Sequence, residues 1–142
     1  MTGYLLDTNL VSEAISVKPS ARVLRWLGAT DASLLFLSVM TIGEIRKGIG
    51  TLPPSRRRDV LEAWLDRDLK QCFGERILPI TMAIAERWGV LDAKSQRSGN
   101  PLPIVDGLLA ATALERDLIL VTRNVRDFER LGVEVFNPWE HV

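Results

Sequence analysis

The chain has 142 residues, of which 46% are apolar, 25% are charged and 6% are aromatic. This length suits a single domain built around one hydrophobic core. Eighteen basic residues balance eighteen acidic residues. The balance excludes a polyelectrolyte tail and a broadly basic nucleic-acid-binding surface, but it leaves room for a local charged site.

Cysteine and histidine are nearly absent, and their scarcity narrows the chemistry. The single cysteine, Cys72, excludes an internal disulfide and a cysteine zinc site, and we expect a buried or half-buried apolar residue in a reducing compartment. The single histidine, His141, is the penultimate residue. A Ser-His-Asp triad, a paired-histidine ribonuclease and a His-rich zinc site are therefore all disfavoured. A hydrolase of this composition would need a metal to supply its nucleophile.

Targeting segments are not evident in the sequence. The first residues lack the charged region and the apolar run of a signal peptide. No apolar stretch approaches the ~18 residues of a membrane span. We therefore expect a cytoplasmic protein without a membrane partner.

Short apolar runs alternate with helical periodicity along the chain. The runs that predict strands are residues 4–6, 34–37, 77–80, 118–122 and 133–136. The segments that predict helices are 10–14, 39–49, 55–72, 81–95, 104–116 and 127–130. A further short helix is predicted to begin after Ser20, which can cap it. Residues 98–103 form the clearest loop. This alternation predicts one α/β/α domain over residues 1–142, with a central parallel sheet flanked by helices.

Acidic residues stand near the starts of predicted helices, close to strand ends. In an open parallel sheet, functional sites form beyond the carboxyl ends of the strands. Asp7 follows the first strand, where an Asx turn or a helix cap is the structural alternative. Glu44 lies one helical turn after Thr41, a spacing that also matches a capping box. Asp106 lies in an apolar segment, so it caps a helix or needs a cation, a hydrogen-bond network or a proton.

A polar turn after the strongest predicted strand contains Asn124 and Asp127. Asn124 can cap the last short helix with Asp127 in its first turn, or both side chains can face a shared site. Three converging acids without a cation would repel one another and raise their pKa values, and a divalent metal removes that conflict. Hard oxygen ligands without nearby His or Cys favour Mg²⁺ or Mn²⁺ over Zn²⁺.

Taken in order, these motifs resemble those of the PIN-domain ribonucleases. The segments that carry the resemblance are LLDTN at residues 5–9, TIGEIRKGI at 41–49 and DGLLAATA at 106–113. Two further segments, LVTRNVRDF at 120–128 and VFNPW at 135–139, sharpen it to VapC-type toxins, especially the FitB-like branch. The resemblance covers almost the whole chain. It implies a PIN fold and a metal-dependent endoribonuclease, with tRNA as a candidate substrate.

The resemblance also implies residue roles and partners. The acidic positions of the family correspond to Asp7, Glu44 and Asp106, which would hold Mg²⁺ or Mn²⁺, and a fourth acid of many relatives falls at Asn124 or Asp127. Thr8, Ser38 and Thr122 are expected to orient the acids or the attacking water. Apart from the resemblance, the excess of basic residues over residues 44–58 makes Arg46 a candidate phosphate contact, and Arg123 and Arg126 near the proposed site are the alternative. The expected partners are a VapB-like antitoxin, in a heterotetramer or larger assembly, and a second copy in a homodimer. Operator DNA would be bound only through the antitoxin.

Other classes of protein share parts of this pattern. An aspartyl-phosphate phosphatase of the haloacid dehalogenase type needs a second Asp where the chain has Asn9. A nucleotide-binding regulator needs a glycine-rich loop after a strand, and residues 48–53 are a poor match. A catalytically weak PIN scaffold, acting as a regulatory partner of an antitoxin–DNA complex, is the alternative from a different class.

The rest of the chain is net positive once the three candidate metal ligands are left out of the charge count. Without Asp7, Glu44 and Asp106, fifteen acidic residues remain against eighteen basic residues, fourteen of which are Arg. Residues 56–58 are all Arg and are either a solvated helix start or an RNA contact. The four tryptophans are expected in the core or at interfaces, and the helix that carries Trp64 and Leu69 is a candidate dimer or antitoxin face.

Overall fold

Five short parallel strands form one sheet in the order β3-β2-β1-β4-β5. The structure is a computed structural model that describes residues 2–140, so the expectation for His141 lies outside the described residues. The strands are β1 Tyr4–Leu6, β2 Leu35–Ser38, β3 Ile77–Leu78, β4 Ile119–Val121 and β5 Val135–Phe136. All five predicted strands are confirmed, each within the predicted run or one residue beyond it.

Eight α-helices cover the sheet within the described residues. They are α1 Thr8–Ala14, α2 Ala21–Ala29, α3 Val39–Gly50, α4 Arg56–Ala63, α5 Lys70–Phe73, α6 Met82–Arg97, α7 Ile104–Arg116 and α8 Val125–Glu129. A π-helical turn, Trp64–Leu69, joins α4 to α5, so the single helix predicted over 55–72 is interrupted. The side chains of Ser20, Ser55 and Thr81 accept backbone N–H groups at the starts of α2, α4 and α6, as their sequence positions predict.

The strand order places a crevice between β1 and β4. The chain proceeds from β1 to β2 on one side and later returns to β4 on the other, so the order reverses at β1. Ligand sites of open α/β sheets form at such a reversal, beyond the carboxyl ends of the two strands. Asp7 and Thr122 directly follow β1 and β4, so both lie at this crevice.

Apolar side chains from the central strands pack against helices on both faces of the sheet. Consecutive strand residues point to opposite faces, so Leu5 and Leu6 belong to two different core clusters. The cluster around Leu5 includes Leu109 and Ala110 of α7, whose small and branched residues allow that helix to lie close to the sheet. α7 is thereby held with its first turn at the edge where the strands end. No helix within residues 2–140 is long and apolar enough to span a membrane.

The predicted capping box at Thr41 and Glu44 is wrong. α3 begins at Val39, and the Ser38 side chain accepts the backbone N–H of Met40 at 3.0 Å. The last residue of β2 is therefore also the helix cap, and Thr41 lies inside the helix. Glu44 is not used by the cap, so its carboxylate is available for contacts elsewhere.

The interrupted helix bears on two further expectations, one of which fails. Cys72 is exposed rather than buried or half-buried. Leu69 belongs to the hydrophobic core, whereas Trp64 is half-buried against it. Both side chains thus pack toward the core, and a dimer or antitoxin face on the exposed side of this helix stays a prediction.

Candidate active site

Asp7 is buried at the carboxyl end of β1, and two groups fix its carboxylate. Oδ1 accepts the backbone N–H of Thr8 at 2.7 Å, and Oδ2 accepts the Thr122 hydroxyl at 2.8 Å. Burial raises the pKa of Asp7, the two hydrogen bonds lower it, and the nearby charge of Glu44 raises it again. Asp7 therefore caps α1, as the structural alternative proposed, and it also faces another acid.

Glu44 reaches the same site from α3. Its Oε1 accepts a hydrogen bond from the Thr8 hydroxyl, whose oxygen lies 3.3 Å from that of Thr41. Thr8 thus links the acid after β1 to the acid on α3: its N–H binds Asp7 and its hydroxyl binds Glu44. The sequence predicted an orienting role for Thr8 without indicating which acids it would join.

Asp106 contributes a third carboxylate from the first turn of α7, where it is half-buried. Its pKa is raised to about 6, mainly by burial. The negative charges that add to this rise belong to Asp7, Glu44 and Asp127. The charges of Asp7, Glu44 and Asp127 all act on Asp106, and we call these four acids the acid cluster.

Of the two candidates for the fourth position, Asp127 is the one that adds a negative charge near Asp106. Asp127 is exposed on α8, yet its charge raises the pKa of Asp106. Asn124 occupies the position before α8, but its side chain forms no cap hydrogen bond, contrary to the predicted cap. Its backbone N–H instead donates to the Thr122 hydroxyl oxygen at 3.0 Å.

Two residues expected at the site have other roles. Ser38 is fully buried, and its hydroxyl caps α3, so it offers no surface to a substrate. Arg46 pairs with Asp66 of the π-helical turn, which also accepts Lys70. The Arg46 guanidinium is thus paired with an exposed carboxylate in this arrangement, and its contact with RNA stays a prediction. Arg58 likewise pairs with Glu62, which favours the solvated helix start over an RNA contact at residues 56–58.

Asn9 was missed as a candidate, although it stands in the LLDTN segment. Its Nδ2 lies 3.5 Å from the Thr122 hydroxyl oxygen, and its Oδ1 is buried without a hydrogen-bond partner among the described residues. The one hydroxyl proton of Thr122 goes to Asp7, so the Asn9 amide faces that oxygen with its N–H₂ group. This leaves an uncompensated carbonyl oxygen beside the acid cluster.

The donor set fits a hard divalent cation. Within residues 2–140, no three His, Cys, Asp or Glu side chains are already arranged to hold one ion between them. Four acids nevertheless share the region, two of them with raised pKa values, and the Asn9 carbonyl oxygen lacks a partner. Carboxylate and amide oxygens are the ligands that Mg²⁺ and Mn²⁺ prefer, and a dication would offset the repulsion between the acids.

An open groove of ≈ 620 Å³ lies beside the acid cluster. The residues that line it include Arg123, Asn124, Arg126 and Asp127 of the β4–α8 turn. The guanidinium carbon of Arg123 lies 4.8 Å from the centre of the Trp139 ring. The groove therefore brings Arg123 and Arg126 next to Asp127, and two further acids, Glu129 and Glu140, also line it.

Gly107 allows a close approach of α7 to α6. A Cβ atom at this position would lie 2.8 Å from Cδ1 and 2.9 Å from Nε1 of the Trp88 indole. Real Cβ atoms are not found so near to a neighbouring ring, so only glycine fits here without a shift. Because Gly107 directly follows Asp106, this contact fixes the position of the backbone that carries the third carboxylate.

Comparison with known proteins agrees with the fold and the motif order. The PIN domain family model matches residues 4–134. The chain is 38% identical over 136 residues to the plasmid stability protein StbB of Pseudomonas syringae pv. tomato, covering 96% of this chain and 98% of that protein. It is 32% identical to the VapC ribonuclease Y4jK of Sinorhizobium fredii, covering 96% and 97% of the two chains.

The FitB proteins give a similar result in sequence and in structure. Identity to toxin FitB of Neisseria gonorrhoeae is 33% over 135 residues, covering 95% of this chain and 97% of that protein. A solved structure of FitAB bound to an IR36 DNA fragment matches with a TM-score of 0.91 and 31% identity, covering 98% and 97% of the two chains. The chain therefore belongs to the PIN-domain family, in the VapC-type group that includes toxin FitB.

Proposed function

We propose that this protein is a metal-dependent endoribonuclease and the toxin of a VapBC-type toxin–antitoxin module. The observation that carries the proposal is the acid cluster at the β1–β4 crevice, where burial and mutual repulsion raise the pKa values of Asp7 and Asp106. Carboxyl groups whose pKa values are raised by burial and by neighbouring acids cluster at functional sites. The relatives named as a ribonuclease and a toxin supply the chemistry that such a site would perform.

Asp7, Glu44 and Asp106 would hold one or two Mg²⁺ or Mn²⁺ ions, with Asp127 or Asn124 completing the site. When bound, the metal would lower the pKa of a coordinated water and stabilise negative charge on the phosphate. Thr122 fixes one oxygen of Asp7, and Thr8 fixes one oxygen of Glu44, so both acids are oriented before substrate arrives.

Substrate contacts and partners follow from the groove and from the relatives. Arg123 and Arg126 offer cationic donors for RNA phosphates beside the acid cluster. The solved FitAB complex is bound to DNA, which supports a VapB-like antitoxin as the partner through which operator DNA is held. We further propose a homodimer, a cytoplasmic location where RNA is available, and a PIN domain that extends over residues 1–142.

The chemistry of the product ends tests the proposed mechanism. No described residue is a histidine, so attack by the RNA 2′-hydroxyl lacks the usual imidazole pair, and water is the expected nucleophile. We expect digestion with Mg²⁺ or Mn²⁺ to leave 5′-phosphate and 3′-hydroxyl ends, measured by end-labelling and mass spectrometry. Chelation by EDTA should stop cleavage. Ends that carry 2′,3′-cyclic phosphate would refute this route, and binding without cleavage would favour the scaffold alternative.

The contact between Gly107 and Trp88 predicts that a substitution outside the acid cluster lowers the rate of RNA cleavage. We expect Gly107→Ala to lower the unfolding free energy by about 1–3 kcal/mol through overpacking. The start of α7 would shift with Asp106 on it, so the RNA cleavage rate should fall by about 10- to 100-fold. Thermal unfolding and single-turnover cleavage of a labelled RNA measure the two effects.

Gly89→Ala is the matched control, because Gly89 lies on the same helix as Trp88 and an added Cβ meets nothing within 4 Å. We expect it to raise stability by about 0.5–1 kcal/mol without changing the cleavage rate. If Gly107→Ala behaved like Gly89→Ala in both measurements, the Trp88 contact would have no role in placing Asp106.

A further inference from the structure

Arg123 is exposed at the rim of the acid cluster. It directly follows Thr122, whose hydroxyl holds Asp7. Its guanidinium packs over the Trp139 ring, and it forms no salt bridge with any described residue. A stacked guanidinium keeps its N–H donors in the plane of the group, so they remain available to an oxygen ligand.

Trp139 is fixed independently of Arg123. Its indole Nε1 donates to Oε1 of Glu13 at 3.1 Å, and its backbone N–H donates to Oδ1 of Asn137 at 2.9 Å. Its carbonyl oxygen accepts a hydrogen bond from Arg22 at 3.2 Å. The ring is buried, so it cannot serve as a platform for an RNA base. The Arg123 guanidinium covers one face of the ring.

Glu13 supports the indole rather than neutralising Arg123. Its Oε1 accepts a hydrogen bond from the Trp139 indole N–H, and its Oε2 accepts one from the backbone N–H of Ser20 at 3.0 Å. These two hydrogen bonds are the main reasons that the pKa of Glu13 is lowered, and the charge of Arg123 contributes least. The Glu13 carboxylate is thus hydrogen-bonded within the scaffold and forms no salt bridge with Arg123, although Glu129 and Glu140 line the same groove as Arg123.

We propose that Arg123, stacked on Trp139, binds a backbone phosphate of single-stranded RNA next to the scissile phosphate, with Trp139 as its positioning residue. This inference rests on the proposed function. A guanidinium binds a phosphate through paired hydrogen bonds, and holding its plane on a ring reduces the side-chain entropy lost on binding. Glu13 of α1 holds the indole, while Arg22 of α2 and Asn137 after β5 hold the backbone of Trp139, so three parts of the chain position the residue on which Arg123 packs.

RNA binding is tested without cleavage in the Asp106→Asn background. The probe is a short fluorescein-labelled single-stranded RNA, and Kd is measured by anisotropy over a salt series. We expect Arg123→Ala to raise Kd by about 10-fold and to reduce the slope of log Kd against log salt by about 0.7. We expect Trp139→Leu to raise Kd by about 2- to 5-fold. Added to Arg123→Ala, Trp139→Leu should have no further effect, because the ring acts through the guanidinium.

Two controls separate positioning from loss of structure. Arg116→Ala removes an exposed cation at the far end of α7 and should leave Kd and the salt slope unchanged. Trp139→Phe keeps an aromatic face and should retain most of the affinity. The NMR resonance of the Arg123 Nε–H group should show a ring-current shift in the parent and in Trp139→Phe, and should lose it in Trp139→Leu.

The proposal is overturned if Arg123→Ala leaves Kd and the salt slope unchanged. It is also overturned if Trp139→Leu weakens binding equally with and without Arg123. The same holds if the chemical shift of the Arg123 Nε–H group is unchanged by Trp139→Leu. Cleavage by the wild-type protein is recorded in parallel. If binding depends on Arg123 but the wild type does not cleave RNA, the proposed nuclease is refuted and the phosphate contact is supported. If the wild type cleaves RNA but binding does not depend on Arg123, the phosphate contact is refuted and the nuclease is supported.

Discussion

We expect the substitution Asp7→Asn to lower the rate of RNA cleavage by at least about 100-fold, in the range that follows loss of a preorganised catalytic group. The side chain lies where β1 and β4 end, and its two oxygens are fixed by Thr8 and Thr122. An amide removes the negative charge that a metal needs there but occupies the same space. The loss should therefore appear in catalysis rather than in folding.

The fold should survive Asp7→Asn for two reasons. Asparagine is as good a helix N-cap as aspartate, so the Thr8 N–H keeps its acceptor. Burial raises the pKa of Asp7, so the ionised carboxylate costs stability above its ordinary pKa, and a neutral amide does not. Single-turnover cleavage and thermal unfolding in EDTA measure these effects. A folded Asp7→Asn protein that cleaves at the wild-type rate would contradict the assignment.

Thr122 gives a matched pair of controls for Asp7. Thr122→Ser keeps the hydroxyl that donates to Asp7 Oδ2, whereas Thr122→Val keeps the shape and removes the donor. We expect the serine variant to retain most of the activity. The valine variant leaves a buried carboxylate oxygen of Asp7 unpaired, at a cost of about 1–3 kcal/mol in stability, and it also removes the acceptor of the Asn124 N–H. Its activity should fall well below that of the serine variant.

We expect Asp106→Asn to have a comparably large effect on cleavage and the opposite effect on the stability of the metal-free protein. The ordinary pKa of this carboxyl is 3.8, and the folded chain raises it to about 6. As the pH rises from about 4 to about 6, the unfolded chain ionises before the folded chain, so folding stability is lost over this window. It stays reduced at neutral pH.

The size of this effect follows from the pKa shift. Two pKa units correspond to about 3 kcal/mol, and partial exposure reduces the expected value to about 1–2 kcal/mol. Asp106→Asn should therefore raise the unfolding free energy by this amount near neutral pH in EDTA, and the gain should vanish near pH 4. Mg²⁺ should stabilise the wild type with rising concentration and should stabilise the variant much less. A variant that is destabilised near neutral pH in EDTA would contradict this account of the acid cluster.

The sequence predicts the sheet well because the central strands are buried on both faces. Residues 4–6 and 118–122 are short apolar runs followed by polar residues, and both become neighbouring strands that end at the crevice. α7 matches the prediction at both ends, because an apolar, Ala-rich segment follows a proline-containing loop. The polar residues that follow strands, Asp7 and Thr122, were identifiable for the same reason.

The contacts that complete the site depend on tertiary structure and could not be read from spacing. The sequence offered Thr41 as a cap, but Ser38 begins the helix because β2 runs directly into α3. Nothing in the sequence indicates that Arg46 pairs with Asp66, because the π-helical turn brings the two residues together only in the folded chain. The support of Trp139 by Glu13 joins residues more than a hundred positions apart, and no local pattern indicates it.

The central claim is that the acid cluster hydrolyses RNA with a divalent ion. It is tested most directly by adding Mg²⁺ or Mn²⁺ to EDTA-treated, antitoxin-free wild-type, Asp7→Asn and Asp106→Asn proteins, purified side by side and incubated with tRNA. We expect the metal to restore cleavage to the wild type alone, while both variants remain folded and inactive. Equal cleavage by all three proteins would contradict the claim and would assign the activity to a contaminating nuclease.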